Sequence, residues 1–111
     1  MEIVDRRIDD KDVLVLKGRL EIASAKKLKS RVSALIQENR FKLIIDMTDV
    51  DFIDSSGLGT LVSALRAVNE KNGDVKVVGL QQQVRSVFEL TRLHRIFGIF
   101  DGVEDAVKSF S

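Results

Sequence analysis

The sequence predicts an α/β domain built on a mixed sheet of four to five strands, with about four helices packed mainly on one side. Three observations carry that prediction. Short apolar runs rich in β-branched residues recur along the chain, as at Val13–Leu16, Leu43–Ile45 and Val75–Leu80. Segments with apolar residues at helical spacing separate them. The alternation begins only after an opening pair of strand candidates joined by a polar turn, so a starting hairpin precedes the repeating units.

Taken in order, Ile3 to Ile8 forms a weakly patterned edge-strand candidate, and Asp9-Asp10-Lys11-Asp12 a turn. Val13-Leu14-Val15-Leu16 is apolar on both sides, as expected of a strand covered on both faces, and Gly18 is expected to break it. From Ala23 to Glu38 the apolar positions Ala25, Leu28, Val32, Leu35 and Ile36 make one buried helical stripe. Phe41 to Met47 holds the second buried strand candidate. Leu58, Leu61, Val62, Leu65 and Val68 mark the next helix, with Asn72-Gly73 as its stop signal. Val75–Leu80 is a third central strand. Val84, Val87, Phe88 and Thr91 mark another helix, Ile96–Phe100 a last short strand, and Val103, Ala106, Val107 and Phe110 a closing helix.

Composition sets the outer limits. A length of 111 residues suits one domain spanning 1–111, and a hydrophobic share of 44% suffices for a core. Eighteen basic residues against 17 acidic ones leave a formal charge of +1, which gives no general reason to expect nucleic acid as a partner. The basic cluster Lys26-Lys27-Leu28-Lys29 with Arg31 reads as the wet face of a helix. With no cysteine there are no disulfides and no thiolate metal site, which fits a reducing compartment. No stretch has the length of a signal-peptide core or of a membrane helix. A cytoplasmic protein without direct membrane insertion is therefore expected, a monomer or weak dimer.

The chemistry concentrates in Phe52-Ile53-Asp54-Ser55-Ser56-Gly57-Leu58-Gly59-Thr60. Two adjacent hydroxyls, flanked by an acid and two glycines, stand directly before a helix. A helix start favours anions, because its first N–H groups lack intrahelical partners and the dipole is positive there. A serine at this place can be a cap, an anion-binding residue or a phosphate acceptor. Capping by Asp54, Ser55 or Ser56 accounts for about 1 kcal/mol. It does not account for Gly57 and Gly59, each of which costs up to ~1 kcal/mol against alanine inside a helix. Glycine allows another surface to approach the backbone, so a partner-docking site at this helix start is expected.

Catalysis by the chain itself finds little support. His94, in Thr91-Arg92-Leu93-His94-Arg95, is the only histidine and reads as a surface residue. There is no metal-binding pair, no Gly-x-Ser-x-Gly elbow and no Gly-Lys-Ser/Thr after the glycines, so no cofactor, metal or nucleotide site is expected. A serine hydrolase would require His94 within reach of Ser55. A phosphoryl group on such a serine would add about −1.5 to −2 charges, which the free N–H groups of the helix could accept and a docked partner could not easily accept.

Asp46-x-x-x-Val50-x-Phe52-Ile53-Asp54-Ser55-Ser56-Gly57-Leu58-Gly59 resembles the signature of the STAS-domain anti-sigma factor antagonists of bacteria. The resemblance runs nearly the whole length. Gly18-Arg19-Leu20-Glu21 is similar to the family's Gly-Glu-Leu-Asp segment, and Thr91–Phe97 to its Thr-Gly-Leu-x-x-Ile-Phe segment. The resemblance implies a single STAS-like domain without catalysis of its own. It implies binding of an anti-sigma factor that is itself a serine protein kinase, and reversal of the modification by a serine phosphatase. The kinase supplies the base and Mg-ATP. The implied phosphoacceptor is Ser55, with Ser56 as fallback, and the implied docking surface is Glu21, Asp54, Ser55, Ser56, Gly57 and Leu58, with Leu58 either core or rim. Arg19 reverses a charge and Glu21 lengthens an acidic arm relative to the family pattern. Arg92 replaces a glycine and is expected to alter only a turn. Another class of function for such a domain is a constitutive scaffold or accessory subunit of a transporter or signalling assembly.

Overall fold

The structure is a computed structural model that describes residues 1–110. β1 (Glu2–Ile8) and β2 (Lys11–Leu20) form the opening antiparallel hairpin. Asp9 turns the chain in the left-handed region, at φ +55°. The following elements are α1 (Ile22–Gln37), β3 (Lys42–Ile53), α2 (Ser55–Asn69), β4 (Asp74–Val78) and α3 (Gln82–Leu90). A single 3₁₀ turn at Leu93–Arg95, β5 (Gly98–Phe100) and α4 (Val103–Ser109) complete the fold. The sheet order is β1-β2-β3-β4-β5, with β2 to β5 all parallel. Neighbours in the sheet are neighbours in sequence, as short βαβ connections require.

The doubly apolar runs find the burial they need. Leu14, Leu43, Ile45, Val75 and Val77 face the main core, where Leu28, Val32, Leu61, Leu65, Val84 and Phe88 of α1, α2 and α3 cover them. Val13, Ile44 and Val78 face the other way and are covered by Ala106 of α4, with Phe100, Val107 and Phe110 packed around them. Three helices thus lie on one face and the short α4 on the other.

Two strands run further than the apolar pattern suggests. Gly18 does not end β2. It takes φ +116°, irregular pairing flanks it, and the strand continues to Leu20. β3 continues past Met47 to Ile53, through the exposed Thr48, Asp49, Asp51 and Phe52. β4 pairs β3 only as far as Asp46. Beyond it the free edge is held by side chains, with Gln81 Nε2 donating to the Thr48 carbonyl at 2.8 Å and Gln83 Nε2 to the Asp51 carbonyl at 3.2 Å. The last strand is shorter than its apolar run. Ile96 is exposed, and Phe97 lies outside β5, buried edge-to-face on Phe88 with ring centres 5.8 Å apart. Arg92 forms a turn as expected, but in the left-handed region at φ +63°, where a side chain costs about 1–2 kcal/mol.

Candidate functional site

β2 and β3 run side by side in parallel and end together. Leu20 pairs with Ile53, and the Asp54 N–H donates to the Leu20 carbonyl at 3.1 Å. The next residue on each chain is acidic, and each acid caps a helix. Glu21 Oε1 accepts from the Ser24 N–H at 3.1 Å, and the Glu21 N–H donates to Ser24 Oγ at 2.9 Å, which closes a reciprocal capping box at the start of α1. Asp54 Oδ1 accepts from the Gly57 N–H at 2.9 Å at the start of α2. Two helix N-termini, each with an acidic cap, therefore open from adjacent strands at the same end of the sheet.

Asp54 settles which residue caps α2. Ser55 and Ser56 are the first two residues of the helix. Ser55 is exposed, Ser56 half-buried, and neither hydroxyl makes a hydrogen bond among the described residues. Both hydroxyls are thus left over after the local structure is satisfied. Leu58 is half-buried and packs on the margin of the main core, which makes it a rim residue.

Gly57 has an internal reason that the residue order alone did not give. Gly57 is buried. A Cβ there would stand 2.8 Å from both Cγ and the carbonyl oxygen of Leu20, and 3.0 Å from Ile53 Cγ1. The glycine lets α2 begin hard against the ends of β2 and β3. Gly59 differs: it is exposed, with nothing within 4 Å of a Cβ position. The open approach lies there and at Ser55.

At this end the sequence pattern did not single out Ile22, nor the contacts that Phe52, Arg19 and Asp46 make. Ile22, next to Glu21, is 63% exposed and Phe52 is 38% exposed. The Arg19 guanidinium sits 4.1 Å above the Phe52 ring, so the charge-reversed residue is held in place by a cation–π contact. The available signal for Ile22 was its position outside the Ala25–Leu28–Val32 stripe. Asp46 orders the strand below the site, its Oδ1 accepting from the Thr48 N–H at 3.0 Å and from Thr48 Oγ1 at 2.7 Å. The surroundings are acidic: Asp46, Asp49, Asp51 and Asp54 lie on one stretch, with no basic residue between Lys42 and Arg66.

His94 is elsewhere. It lies in the turn before β5, at the end of the sheet where the parallel strands begin, with Nδ1 3.4 Å from the Phe88 carbonyl. The length of the sheet separates it from Ser55, so the pair a serine hydrolase needs is not formed. Among the described residues no His, Cys, Asp and Glu group together as a metal site, and no helix is long and apolar enough to cross a membrane.

The molecule is a single α/β domain, a mixed five-stranded sheet with four helices, that presents two serines at the start of α2. The family model for the STAS domain matches residues 3–106, and the chain belongs to that family. It is 30% identical over 99 residues to the anti-sigma-B factor antagonist of Listeria monocytogenes, covering 89% of this chain and 86% of the relative. Among solved structures it resembles a Thermotoga maritima protein, with a TM-score of 0.92, 28% identity and coverage of 96% and 92% of the two chains. It shares the fold of the Bacillus cell fate determinant SpoIIAA in its phosphorylated form, with a TM-score of 0.79, 19% identity and coverage of 99% and 100%.

Proposed function

We propose that this protein is an anti-sigma factor antagonist that works by partner switching. While Ser55 is unmodified it binds an anti-sigma factor that is itself a serine kinase, and phosphorylation of Ser55 releases it. The observation that carries this reading is that Ser55 is exposed at the first turn of α2 with its hydroxyl unused, because Asp54 has taken the capping role. The name of the Listeria relative supports the partner class.

In the modification the kinase's base takes the Ser55 hydroxyl proton. The Ser55 oxygen then bonds to the γ-phosphorus of Mg-ATP and ADP leaves. A serine phosphatase returns the hydroxyl by hydrolysis. The phosphoryl group adds about −1.5 to −2 charges. Within the domain the unpartnered N–H groups of the first turn and the positive end of the helix dipole offset that charge, so the fold tolerates it. A partner seated on Glu21, Asp54, Ser55, Ser56, Gly57 and Leu58 must instead desolvate a dianion beside Asp54. Gly57 contributes by setting the height of α2, and the side chains around it make the contact.

The test is to incubate the protein with its cognate kinase and ATP, locate the phosphate by mass spectrometry, and measure binding of Ser55→Ala and Ser55→Asp. Phosphate on Ser55, retained binding by the alanine variant and weakened binding by the aspartate variant are expected, with Tm barely moved in either. Equal binding by wild type and both variants would instead mark a constitutive scaffold and overturn the switch.

A further inference from the structure

At the opposite end of the sheet, where the parallel strands begin, a hollow of about 200 Å³ opens between the turns that lead into β3 and β4. Arg7, Asn39, Arg40, Lys42 and Lys71 line it, and Asp10 is the one carboxylate on its wall. Local pairing does not use up this positive charge. Asp10 takes Lys42 at 2.7 Å and Lys11 at 3.1 Å. Arg7 and Arg40 share the single buried carboxylate of Asp12, each at 3.4 Å, well beyond the roughly 2.7–2.9 Å of a close charge-assisted bond. Glu38 reaches Arg40 only at 3.8 Å. Lys71 is exposed and makes no ion pair among the described residues. Counting the four lining cations with their ion-pair partners, Arg7, Lys11, Arg40, Lys42 and Lys71 meet Asp10, Asp12 and Glu38, a surplus of two positive charges at the hollow and its immediate surroundings.

Each guanidinium carries five N–H donors in a planar fork. Arg7 spends Nη1 on the two Asp12 oxygens at 3.4 Å and Nε on the Asp9 carbonyl at 3.2 Å, and Arg40 spends Nη1 on Asp12 at 3.4 Å, so donors remain on both forks; Lys71 brings three more from across the hollow. Donors converging from several directions suit a tetrahedral, multiply charged oxyanion better than a planar single charge. We propose that this cleft binds a small phosphate-bearing anion, held by Arg7, Arg40, Lys42 and Lys71. The site is independent of the switch, since Ser55 lies at the far end of β3.

The experiment is a ¹⁵N-resolved NMR titration of the full chain with inorganic pyrophosphate at constant ionic strength. Saturable shifts are expected at Asn39–Lys42 and at Lys71–Gly73. Lys71→Ala removes an exposed side chain without disturbing the Asp12 pairs, and it should weaken binding by about 10-fold, the loss of one charge-assisted contact. Ser55→Asp should bind as wild type does, so the outcome does not depend on the switch. No saturable shift, shifts centred on Ser55–Leu58, or undiminished affinity in Lys71→Ala would each overturn the proposal.

Discussion

The two strand–turn–helix units that meet at the site are built alike and finish differently. In the first, Leu20 ends β2, Glu21 caps α1 and Ser24 occupies the third helical position. In the second, Ile53 ends β3, Asp54 caps α2 and Gly57 occupies the third helical position. Ser24 is buried and its hydroxyl is fully engaged. It accepts from the Glu21 N–H and donates to the Arg19 carbonyl at 2.6 Å. Gly57 has no side chain to engage, and Leu20 fills the space one would need. The hydroxyls of the second unit have moved outward, to the first and second helical positions, where none of the described residues binds them. The same scaffold thus yields one closed helix start that holds structure and one open start that leaves a reactive group over. What separates them is where along the first turn the serine stands.

The largest effect should come from forcing the open unit to resemble the closed one. Gly57→Ser places a side chain within 2.8 Å of Leu20, part of which is rigid backbone. Overpacking of this kind costs about 1–3 kcal/mol. Urea denaturation should show the loss, and an unchanged midpoint would mean that α2 shifts freely at its start. Breaking the closed unit should cost somewhat less. Ser24→Ala strips the partner from the Glu21 N–H and from the Arg19 carbonyl, a loss of about 1–2 kcal/mol. Asp54→Ala removes only one cap contact, to the Gly57 N–H, and should cost about 1 kcal/mol in the same assay.

The comparison also shows what the residue order reveals and what it conceals. The α/β class, the hairpin start and the helix faces were legible because burial on both sides of a strand demands continuous apolar residues, as at Leu43-Ile44-Ile45, and burial on one side of a helix demands a stripe. The end of β3 was hidden because Thr48 to Phe52 have no sheet neighbour on the β4 side and are mostly exposed, so their alternation carries no apolar signal. Gln81 and Gln83 hold that edge through side chains whose targets are carbonyls about 30 residues away in sequence. The serine motif itself was legible as a helix start. The assignment of the cap to Asp54, and the internal reason for Gly57, depend on how closely α2 approaches Leu20, which is a tertiary fact.

The smallest expected effect is the most discriminating. Ser55→Ala deletes the hydroxyl of an exposed residue that makes no side-chain hydrogen bond among the described residues, from a position whose helix is already capped. Alanine also has the better helix propensity, by a few tenths of a kcal/mol. The denaturation midpoint should therefore stay level or rise slightly, within about 0.5 kcal/mol of wild type. Ser24→Ala is the same chemical change, serine to alanine at the start of a neighbouring helix, and should fall by several times that amount. If Ser55→Ala loses as much stability as Ser24→Ala, the Ser55 hydroxyl is structural, and the two units are not an open and a closed form of one design. If only Ser24→Ala falls, then selection for stability cannot explain a serine at position 55, and its hydroxyl answers to something outside the domain.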